Sequence, residues 1–559
     1  MGTSNHYQSL INHPKTTQKT SHIKLFMFLS ITLISLYLCF VTISFTNNHS
    51  SICDNSHDHD YCLELIVEAA SNKSSQWTLS STRTDVLVDV LLAHVSHINK
   101  AIGTTRGINV VTGGQVVQDC LELMDLSHDR VTNSIEVLVN SNKLRKINTN
   151  DVNTWLSAVL TNYVTCLDQL QDYSHLLELK SMIEELISSS RIILAIQANV
   201  LGDATHASNF YGGNEILLGS DTRRVYPSWV RRSDSKLLSV SGSEIKANVV
   251  VSKDGSGNFT TVSEAVASAP DKGKKRYVIY VKEGVYEEIV EVGKKKKNVM
   301  IVGDGMNLTV ISGSLNVVDG NTTFRSATLA AVGDGFILQD ICIRNTAGPE
   351  KHQAVALRVG ADQSVINRCK IEAYQDTLYA HSLRQFYTYS SISGTVDFIF
   401  GNAAVVLQNC ELVARLPMAS QKNMVTAQGR TDPFQNTGTS IQYCDIVACS
   451  ELAPVKAKFP TFLGRPWKNF SRTIVMQSNI SDHIDPRGWF EWDGDFALDT
   501  LYYAEYMNYG LGADTSKRVN WTGYNVITDP KEARNFTVGV FIQGQEWLEE
   551  AGVTYVEGL

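Results

Sequence analysis

The first half of the chain has the hydrophobic spacing of amphipathic helices. Between about residues 52 and 206, apolar positions recur every three or four residues, as in 85–98 and 176–200. Such spacing gives each helix one buried stripe. The block contains no proline, and short polar breaks separate its long helical segments. We therefore predict an antiparallel four-helix bundle over 52–206.

After Ala247 the pattern changes to short β-rich runs. Segments of four to eight residues, such as YVIYV, NVMIVG and AVVLQNCEL, are bounded by Gly, Asn or Asp. Asn-Gly hairpin turns do not stand at every junction, which argues against a simple sandwich. We predict that 247–559 form an all-β domain, a right-handed parallel β-helix.

Two segments outside these domains differ from both. Residues 207–246 are rich in Gly, Ser and Arg without a sustained period, which is typical of a linker. Its pair Arg231-Arg232 is either a protease processing site or a solvated charge pair. Residues 25–45 are almost wholly apolar and follow three lysines, so 1–46 are predicted to form a cytoplasmic-side tail and a signal anchor or signal peptide.

Composition agrees with export of everything after this segment. The chain has 559 residues and a formal net charge of −8, and no basic stretch is interleaved with aromatic residues, so nucleic acid is not an expected partner. Asn-x-Ser/Thr sequons at Asn72, Asn307, Asn321 and Asn520 fit an exported glycoprotein.

Four cysteines of the helical half are disulfide candidates, because export makes such bonds possible. Cys53 and Cys62 are close enough in sequence to tie a short N-terminal hairpin, and Cys120 and Cys166 would then join two helices. The alternative, a metal site, lacks CxxC or paired-His spacing, so no metal is expected here.

A rhythm of polar residues runs along the β-rich half. Gln375 follows Gln353 by 22 residues, and Asp397 follows Gln375 by another 22. In a coiled β-structure, residues one period apart lie on neighbouring strands, about 4.8 Å from each other. With Asp376 included, two amides and two carboxylates are predicted to converge on one spot.

Asp376 and Asp397 stand among apolar neighbours, where an unpaired carboxylate is costly. Either residue alone could instead cap a turn or pair with a buried base. Two carboxylates close in space cannot both ionise freely, so one is kept protonated and the other charged. We expect one to act as nucleophile and the other as acid, then base.

Arg465, in the segment LGRPW, supplies a cation for these carboxylates. A guanidinium can hold a carboxylate bidentately and keep its pKa low. Trp467 offers a flat face that can stack on a sugar ring, although a rigid turn with a packed Trp also explains the segment. Trp489 and Trp492 are further stacking candidates, with core packing as the alternative for one of them.

Five motifs, GVYEE, QAVAL, YQDTLY, GTVDFIFG and LGRPW, occur in this order over about 180 residues and closely resemble the signatures of plant pectin methylesterases. The helical half resembles the pectin methylesterase/invertase inhibitor domain, on the sequence around its four cysteines. The resemblance implies a pectinesterase, a carboxylic ester hydrolase that removes C6 methyl esters from homogalacturonan and releases methanol. It also implies an autoinhibitory N-terminal domain and a protein secreted to the cell wall or apoplast, with a membrane-anchored precursor as a further possibility.

The same resemblance implies a role for each polar residue. Asp397 becomes the nucleophile and Asp376 the proton donor and later the base. Gln353 and Gln375 become the oxyanion donors, and Arg465 becomes the cation that orients Asp397. Thr323 and Trp467 match positions that contact the substrate. No cofactor is implied. The expected partners are methylated homogalacturonan, separate inhibitor proteins and subtilisin-like processing proteases.

Two departures from the family pattern matter. Family members often have a second cysteine about 21 residues after the position of Cys369, where this chain has Ser390. We therefore expect Cys369 to be free and its coil to be held by packing alone. The usual processing signal, a basic pair before two leucines, is reduced here to 235–238 (SKLL), which weakens the prediction of cleavage in the linker.

Two other functions compete with this interpretation. A lyase or glycoside hydrolase could use the same scaffold, but neither a calcium-binding acidic cluster nor the glycosidase His motif is evident. An inhibitor or wall-binding protein could act mainly through the helical half, with an inert β-rich half.

Overall fold

The computed structural model describes residues 50–71, 82–108, 110–144, 149–171, 173–202 and 246–559. The apolar segment 25–45, the sequon at Asn72, and the linker up to residue 245 with its basic pair and its SKLL sequence lie outside the described residues. The described ranges form a helical domain and a β domain.

The helical domain contains four long helices and a shorter one that precedes them: α1 His59–Ser71, α2 Arg83–Arg106, α3 Val110–Leu144, α4 Thr149–Gln169 and α5 Leu177–Leu201. Helices α2 to α5 pack in a closed ring, in which α2 contacts α3 and α5 and α4 contacts the same two. Their apolar stripes form one buried core. The predicted four-helix bundle is confirmed.

Local sequence explains the helix boundaries and the disulfides. A capping box starts α2, because Thr82 and Asp85 each accept a hydrogen bond from the other's backbone N–H. Gly114, with φ of +52°, bends α3 near its start. Disulfide bonds join Cys53 to Cys62 and Cys120 to Cys166, and the second ties α3 to α4.

The β domain consists of short strands in three parallel sheets. Sheet I contains β1 Val249–Val251, β2 Tyr277–Val281, β5 Val299–Gly303, β8 Ile337–Gln339, β11 Ser364–Asn367, β14 Arg384–Thr388, β17 Ala404–Gln408, β20 Gly438–Gln442, β23 Arg472–Met476, β25 Tyr502–Tyr506 and β26 Tyr524–Val526. Sheet II contains β4 Val290–Val292, β7 Leu329–Ala331, β10 Leu357–Val359, β13 Leu378–Ala380, β16 Ile399–Gly401, β19 Asn423–Gln428 and β22 Thr461–Gly464. Sheet III contains β3 Gly284–Glu287, β6 Thr309–Gly313, β9 Cys342–Asn345, β12 Lys370–Glu372, β15 Ser391–Gly394, β18 Glu411–Ala414, β21 Asp445–Ala448 and β24 Asn479–Ile480.

Through most of the domain the chain visits the three sheets in turn, so successive coils stack strand on strand and every strand pairing is parallel. The predicted parallel β-helix is confirmed. Inward-facing Val, Ile and Leu side chains from all three sheets fill its interior.

Four short helices accompany the coils and were not predicted: α6 Val262–Ser268, α7 Pro530–Arg534, α8 Val538–Phe541 and α9 Leu548–Ala551. Helices α7 to α9 cover the outer face of sheet I, where Phe536, Phe541 and Trp547 pack on strand residues such as Phe386. Each spans two turns or fewer, which is too short for a helical period to show in the sequence.

Cys369 is buried and free, as expected from Ser390. Its coil is not held by packing alone, however. The Ser390 hydroxyl accepts a hydrogen bond from the Cys369 N–H at 3.0 Å and donates to Thr388 O at 3.0 Å. The serine that replaces the cysteine therefore still joins the two coils, and the expectation is corrected on this point.

Candidate active site

The two aspartates precede neighbouring strands of sheet II. Leu378 of β13 pairs with Ile399 of β16, and Asp376 and Asp397 each stand two residues earlier. The Asp376 N–H donates to Val396 O at 3.1 Å, which continues that register and places Asp376 beside Asp397. Both residues have left-handed φ angles, +63° and +50°, which Asp adopts more readily than most residues and which recur at functional sites.

The predicted 22-residue repeat holds for the two amides but not for the step from Gln375 to Asp397. Gln353 and Gln375 form a parallel bridge, as the rhythm predicts. The strands that follow them repeat every 21 residues, because Leu357 pairs with Leu378 and Leu378 with Ile399. Asp397 therefore lies opposite Asp376 rather than opposite Gln375.

Arg465 follows β22 and reaches across to Asp397. Its Nε and Nη2 donate to the two carboxylate oxygens at 2.9 and 2.6 Å, which is the bidentate geometry expected from the sequence. The guanidinium also lies over the ring of Trp492, with 4.3 Å between Cζ and the ring centroid. Trp492 and Asp397 both contact the guanidinium, and its two hydrogen bonds orient the Asp397 carboxylate.

Burial raises the pKa of both carboxyl groups. For Asp376 the pKa rises well above its ordinary value, because desolvation is reinforced by the negative charge of Asp397. Desolvation also raises the pKa of Asp397, and the hydrogen bonds and charge of Arg465 limit that rise. The expectation of a low pKa for Asp397 is therefore wrong in direction, since a single cation does not outweigh burial here. Asp376 remains the carboxyl group that holds its proton more tightly.

A cavity of about 790 Å³ opens over these groups. It is lined by both aspartates, Arg465 and the side chains of Gln353 and Gln375. Among the described residues, neither carboxamide hydrogen-bonds another protein side chain, so its N–H groups are available to a bound molecule. The structure thus brings together the two amides, the two carboxylates and the cation that the sequence singled out.

The substrate-contact candidates divide between the cavity and the core. Thr323, Trp467 and Trp492 line the cavity. Trp489 is fully buried, stacks on Tyr503 with centroids 4.3 Å apart and donates its indole N–H to Glu505. Of the two further tryptophan candidates, Trp492 is therefore at the site and Trp489 packs in the core.

A row of rings that the sequence reasoning missed connects to Trp467. We call Phe324, His381, Tyr379, Phe400 and Trp467 the aromatic floor. Successive centroids along it are 5.5, 5.1, 4.2 and 5.9 Å apart. The sequence does contain a signal for part of this row. Tyr379 and Phe400 each follow one of the two aspartates by three residues, and so they repeat with the same 21-residue step.

The helical domain lies against this floor and the cavity. Gln115 accepts a hydrogen bond from the Thr322 N–H at 2.9 Å, and Thr165 Oγ1 is hydrogen-bonded to His381 Nε2 at 3.0 Å. The side chains of Thr165, Asp168 and Gln169 line the cavity together with the catalytic candidates. Phe324, Tyr379 and Phe400 belong to the same buried apolar cluster as the bundle core. No sequence signal marked these contacts, since a helical period shows which face is buried but not what buries it.

Ion pairs and hydrogen bonds surround the apolar contact. Arg130 pairs with Asp334 at 2.5 Å, and Arg384 pairs with Asp151 of the bundle at 2.7 Å. Asp119, whose side chain is fully buried, accepts from Arg325 Nε at 2.5 Å. These buried, complementary charge pairs between the two domains indicate a specific interface.

Comparison with known proteins extends over both domains. Residues 248–545 match the family model described as Pectinesterase, and residues 47–196 match the one described as Plant invertase/pectin methylesterase inhibitor. Pectinesterase 2.1 of Solanum lycopersicum is 55% identical over 92% of this chain and 92% of its own length. Pectinesterase/pectinesterase inhibitor 18 of Arabidopsis thaliana is 51% identical over 100% of both chains. A solved pectin methylesterase from carrot is 62% identical, covers 56% of this chain and 98% of its own, and superposes with a TM-score of 0.56.

Proposed function

This chain belongs to the pectinesterase family and carries an inhibitor-type helical domain, and from that premise we propose the role of each residue at its site. The activity is the de-esterification of pectin. We assign Asp397 as the nucleophile, Asp376 as general acid and base, Gln353 and Gln375 as oxyanion donors, and Arg465 as the residue that orients Asp397.

The bidentate bond from Arg465 to only one of two adjacent buried carboxyl groups carries this assignment. It makes the pair unequal, with Asp397 the more easily ionised and Asp376 the more easily protonated. An ionised carboxylate is required to attack, and a protonated one is required to donate. The two roles therefore follow from which aspartate the arginine binds.

In the first step, an Asp397 oxygen forms a bond to the C6 carbonyl carbon of a methylated galacturonate. The carbonyl oxygen becomes negative and accepts hydrogen bonds from Gln353 and Gln375, and one such donor typically contributes a factor of about 10²–10³ in rate. When the C–O bond to the methoxy group breaks, Asp376 transfers its proton to the departing oxygen. Methanol leaves, and the galacturonyl group is attached to Asp397 as an anhydride.

In the second step, the ionised Asp376 removes a proton from water, and the hydroxide oxygen attacks the same carbonyl carbon. The bond to Asp397 breaks, and its electron pair restores the Asp397 carboxylate. The C6 carboxylic acid is released and Asp376 is again protonated. One ester and one water thus give one acid and one methanol, and both aspartates return to their starting states.

The helical domain acts as an autoinhibitor in this proposal. Thr165, Asp168 and Gln169 line the cavity, and the bundle core packs on the aromatic floor, so we infer that the docked bundle keeps a polysaccharide chain from lying across the site. Separation of the two domains, after cleavage in the linker 207–246, would expose the cavity and the aromatic floor. We place the processed enzyme in the cell wall, with methylated homogalacturonan as substrate; separate inhibitor proteins and subtilisin-like proteases would be its regulatory partners.

The β domain can be tested by itself. Its interior core contains residues of the β domain alone, and the carrot enzyme matches this part of the chain over 98% of its own length. We expect residues 247–559 to release methanol from methylated pectin without shortening the chain. Asp397→Asn and Asp376→Asn should abolish the release. Asp499→Asn is the control and should leave it unchanged, because Asp499 is exposed and has no side-chain hydrogen bond or ion pair among the described residues. Wild-type rates in the Asp397→Asn variant, or depolymerisation by the wild type, would contradict the assignment.

A further inference from the structure

An arginine outside the cavity holds the turn that carries Gln375 and Asp376. Arg415 Nη1 donates a hydrogen bond to the backbone oxygen of Ala373 at 2.8 Å, and Nη2 donates to the Tyr374 hydroxyl at 2.8 Å. The guanidinium also lies over the Tyr374 ring, with 3.8 Å between Cζ and the ring centroid. The chain immediately before Gln375 is therefore bound to Arg415 through a backbone carbonyl, a hydroxyl and a ring face.

The same arginine is tied to the coil that carries Asp397. Its N–H donates to Gly394 O at 2.8 Å, three residues before Asp397, and the N–H of the next residue, Thr395, donates to Tyr374 O at 2.8 Å. Strands β12, β15 and β18 of sheet III lie side by side, so Tyr374, Thr395 and Arg415 stand at the same level of three successive coils. The Arg415 side chain thus reaches across the coil of Asp397 to the coil of Tyr374 and joins the two.

The turn needs such support because its backbone is strained. Asp376 has a φ of +63°, and a left-handed φ at a residue other than glycine persists only where the surrounding structure determines it. Charge repulsion between Asp376 and Asp397 also favours a wider separation of the two carboxyl groups whenever both are ionised. The bonds from Arg415 to the residues beside Asp376 oppose both tendencies.

We propose that Arg415 is a positioning residue for the esterase reaction, which fixes the turn of Gln375 and Asp376 relative to Asp397 by way of Tyr374. Arg415 and Tyr374 are not among the described residues that line the cavity, so this role needs no contact with the substrate. The proposal rests on the proposed function and adds the residue that keeps its oxyanion donor and its proton donor in register with the nucleophile. A misplacement of about 1 Å in such a group typically costs about 10²-fold in rate.

The test measures methanol release from methylated pectin by residues 247–559, at a temperature at which every variant is folded. Arg415→Met keeps the aliphatic stem and removes both side-chain hydrogen bonds. We expect kcat to fall about 10²-fold with KM nearly unchanged, because the substrate contacts remain in place. Arg415→Lys keeps a cation that can bind one of the two acceptors, and Tyr374→Phe loses only the hydroxyl bond, so kcat of each should fall about tenfold. Arg534→Met is the matched control and should behave as the wild type, because Arg534 is exposed and its side chain has no hydrogen bond or ion pair among the described residues.

The pH profile separates positioning from stabilisation of the fold alone. Asp376 must hold its proton to act as the acid, and burial, reinforced by the charge of Asp397, keeps its pKa high. When the turn loosens, Asp376 becomes better hydrated and moves away from Asp397, so its pKa falls. The basic limb of the kcat/KM profile should therefore move to lower pH in Arg415→Met. A purely structural role would lower the thermal unfolding temperature without moving this limb.

Three results would overturn the proposal while leaving the esterase assignment intact. The first is a folded Arg415→Met variant with the kcat and pH profile of the wild type. The second is a rise in KM at unchanged kcat, which marks a substrate contact instead, and the third is a lower kcat with an unmoved basic limb. If Arg415→Met does not fold, Arg415→Lys and Tyr374→Phe decide by the same criteria. Absence of methanol release by the wild type would instead contradict the proposed function.

Discussion

The salt bridge between Asp119 and Arg325 offers a quantitative test of autoinhibition, because Asp119→Ala alters the interface without altering the enzyme's own residues. Asp119 also accepts a hydrogen bond from the Thr322 hydroxyl at 2.6 Å, so its carboxylate contacts two groups of the β domain. Removal of one partner from a buried ion pair costs about 3–5 kcal/mol. Arg325 is 19% exposed and keeps Glu122, so we discount this to about 2–3 kcal/mol.

That loss corresponds to an increase of about 30- to 150-fold in the fraction of molecules with the helical domain undocked. Methanol release by the uncleaved chain should rise by the same factor, as long as the docked state still predominates. Glu136→Ala is the matched control, because Glu136 is exposed on the same helix and has no hydrogen bond or ion pair with the β domain among the described residues. Far-UV circular dichroism should show an intact bundle in both variants. An uncleaved Asp119→Ala chain that is folded and as inactive as the wild type would refute the idea that this interface controls activity.

Three further predictions concern the site and its coil. Gln375→Ala should lower kcat by about 10²–10³ with little change in KM, since an oxyanion donor acts mainly in the transition state; a change in KM alone would indicate a substrate contact instead. Arg465→Lys removes the bidentate bond that limits the rise in the pKa of Asp397, so a smaller fraction of Asp397 is ionised at a given acidic pH. The acid limb of the kcat/KM profile should therefore move to higher pH. An unmoved acid limb with lower kcat would argue against ionised Asp397 as the nucleophile. Ser390→Cys should form a disulfide with Cys369, because the flanking Lys370 and Ser391 are strand partners. The bond should stabilise the β domain by about 3 kcal/mol, so the thermal unfolding temperature should fall when reductant is added. An unfolding temperature that reductant does not change would show that the bond does not form.

The fold could be predicted because its two periods are simple. Apolar residues every three or four positions require a buried helical stripe, and short β-rich runs without hairpin turns favour stacked parallel coils. The bridge between Gln353 and Gln375 followed from the same reasoning. The position of Asp397 did not, because the strands after the two amides repeat one residue earlier, and a rhythm counted between polar residues does not detect such a shift.

Properties that depend on three-dimensional surroundings could not be predicted from the sequence. The direction of the pKa shift of Asp397 depends on how completely the coils and the bundle exclude water, which a motif does not reveal. Trp489 and Trp492 stand in the same short segment, yet one is buried in the coil and the other covers Arg465. Asp168 and Lys468 belong to different domains and stand 300 residues apart in the sequence. Each residue alone looks like an ordinary charged surface position, so the pairing could not be predicted.

The most direct test of the account is methanol release from methylated pectin by one preparation of the full chain, measured before and after cleavage in the linker and separation of the two domains. We predict little or no release by the intact chain, strong release by the separated β domain, and none at either stage from the Asp397→Asn variant. An intact chain as active as the separated domain would contradict autoinhibition, and release by the Asp397→Asn variant would contradict the assignment of the nucleophile.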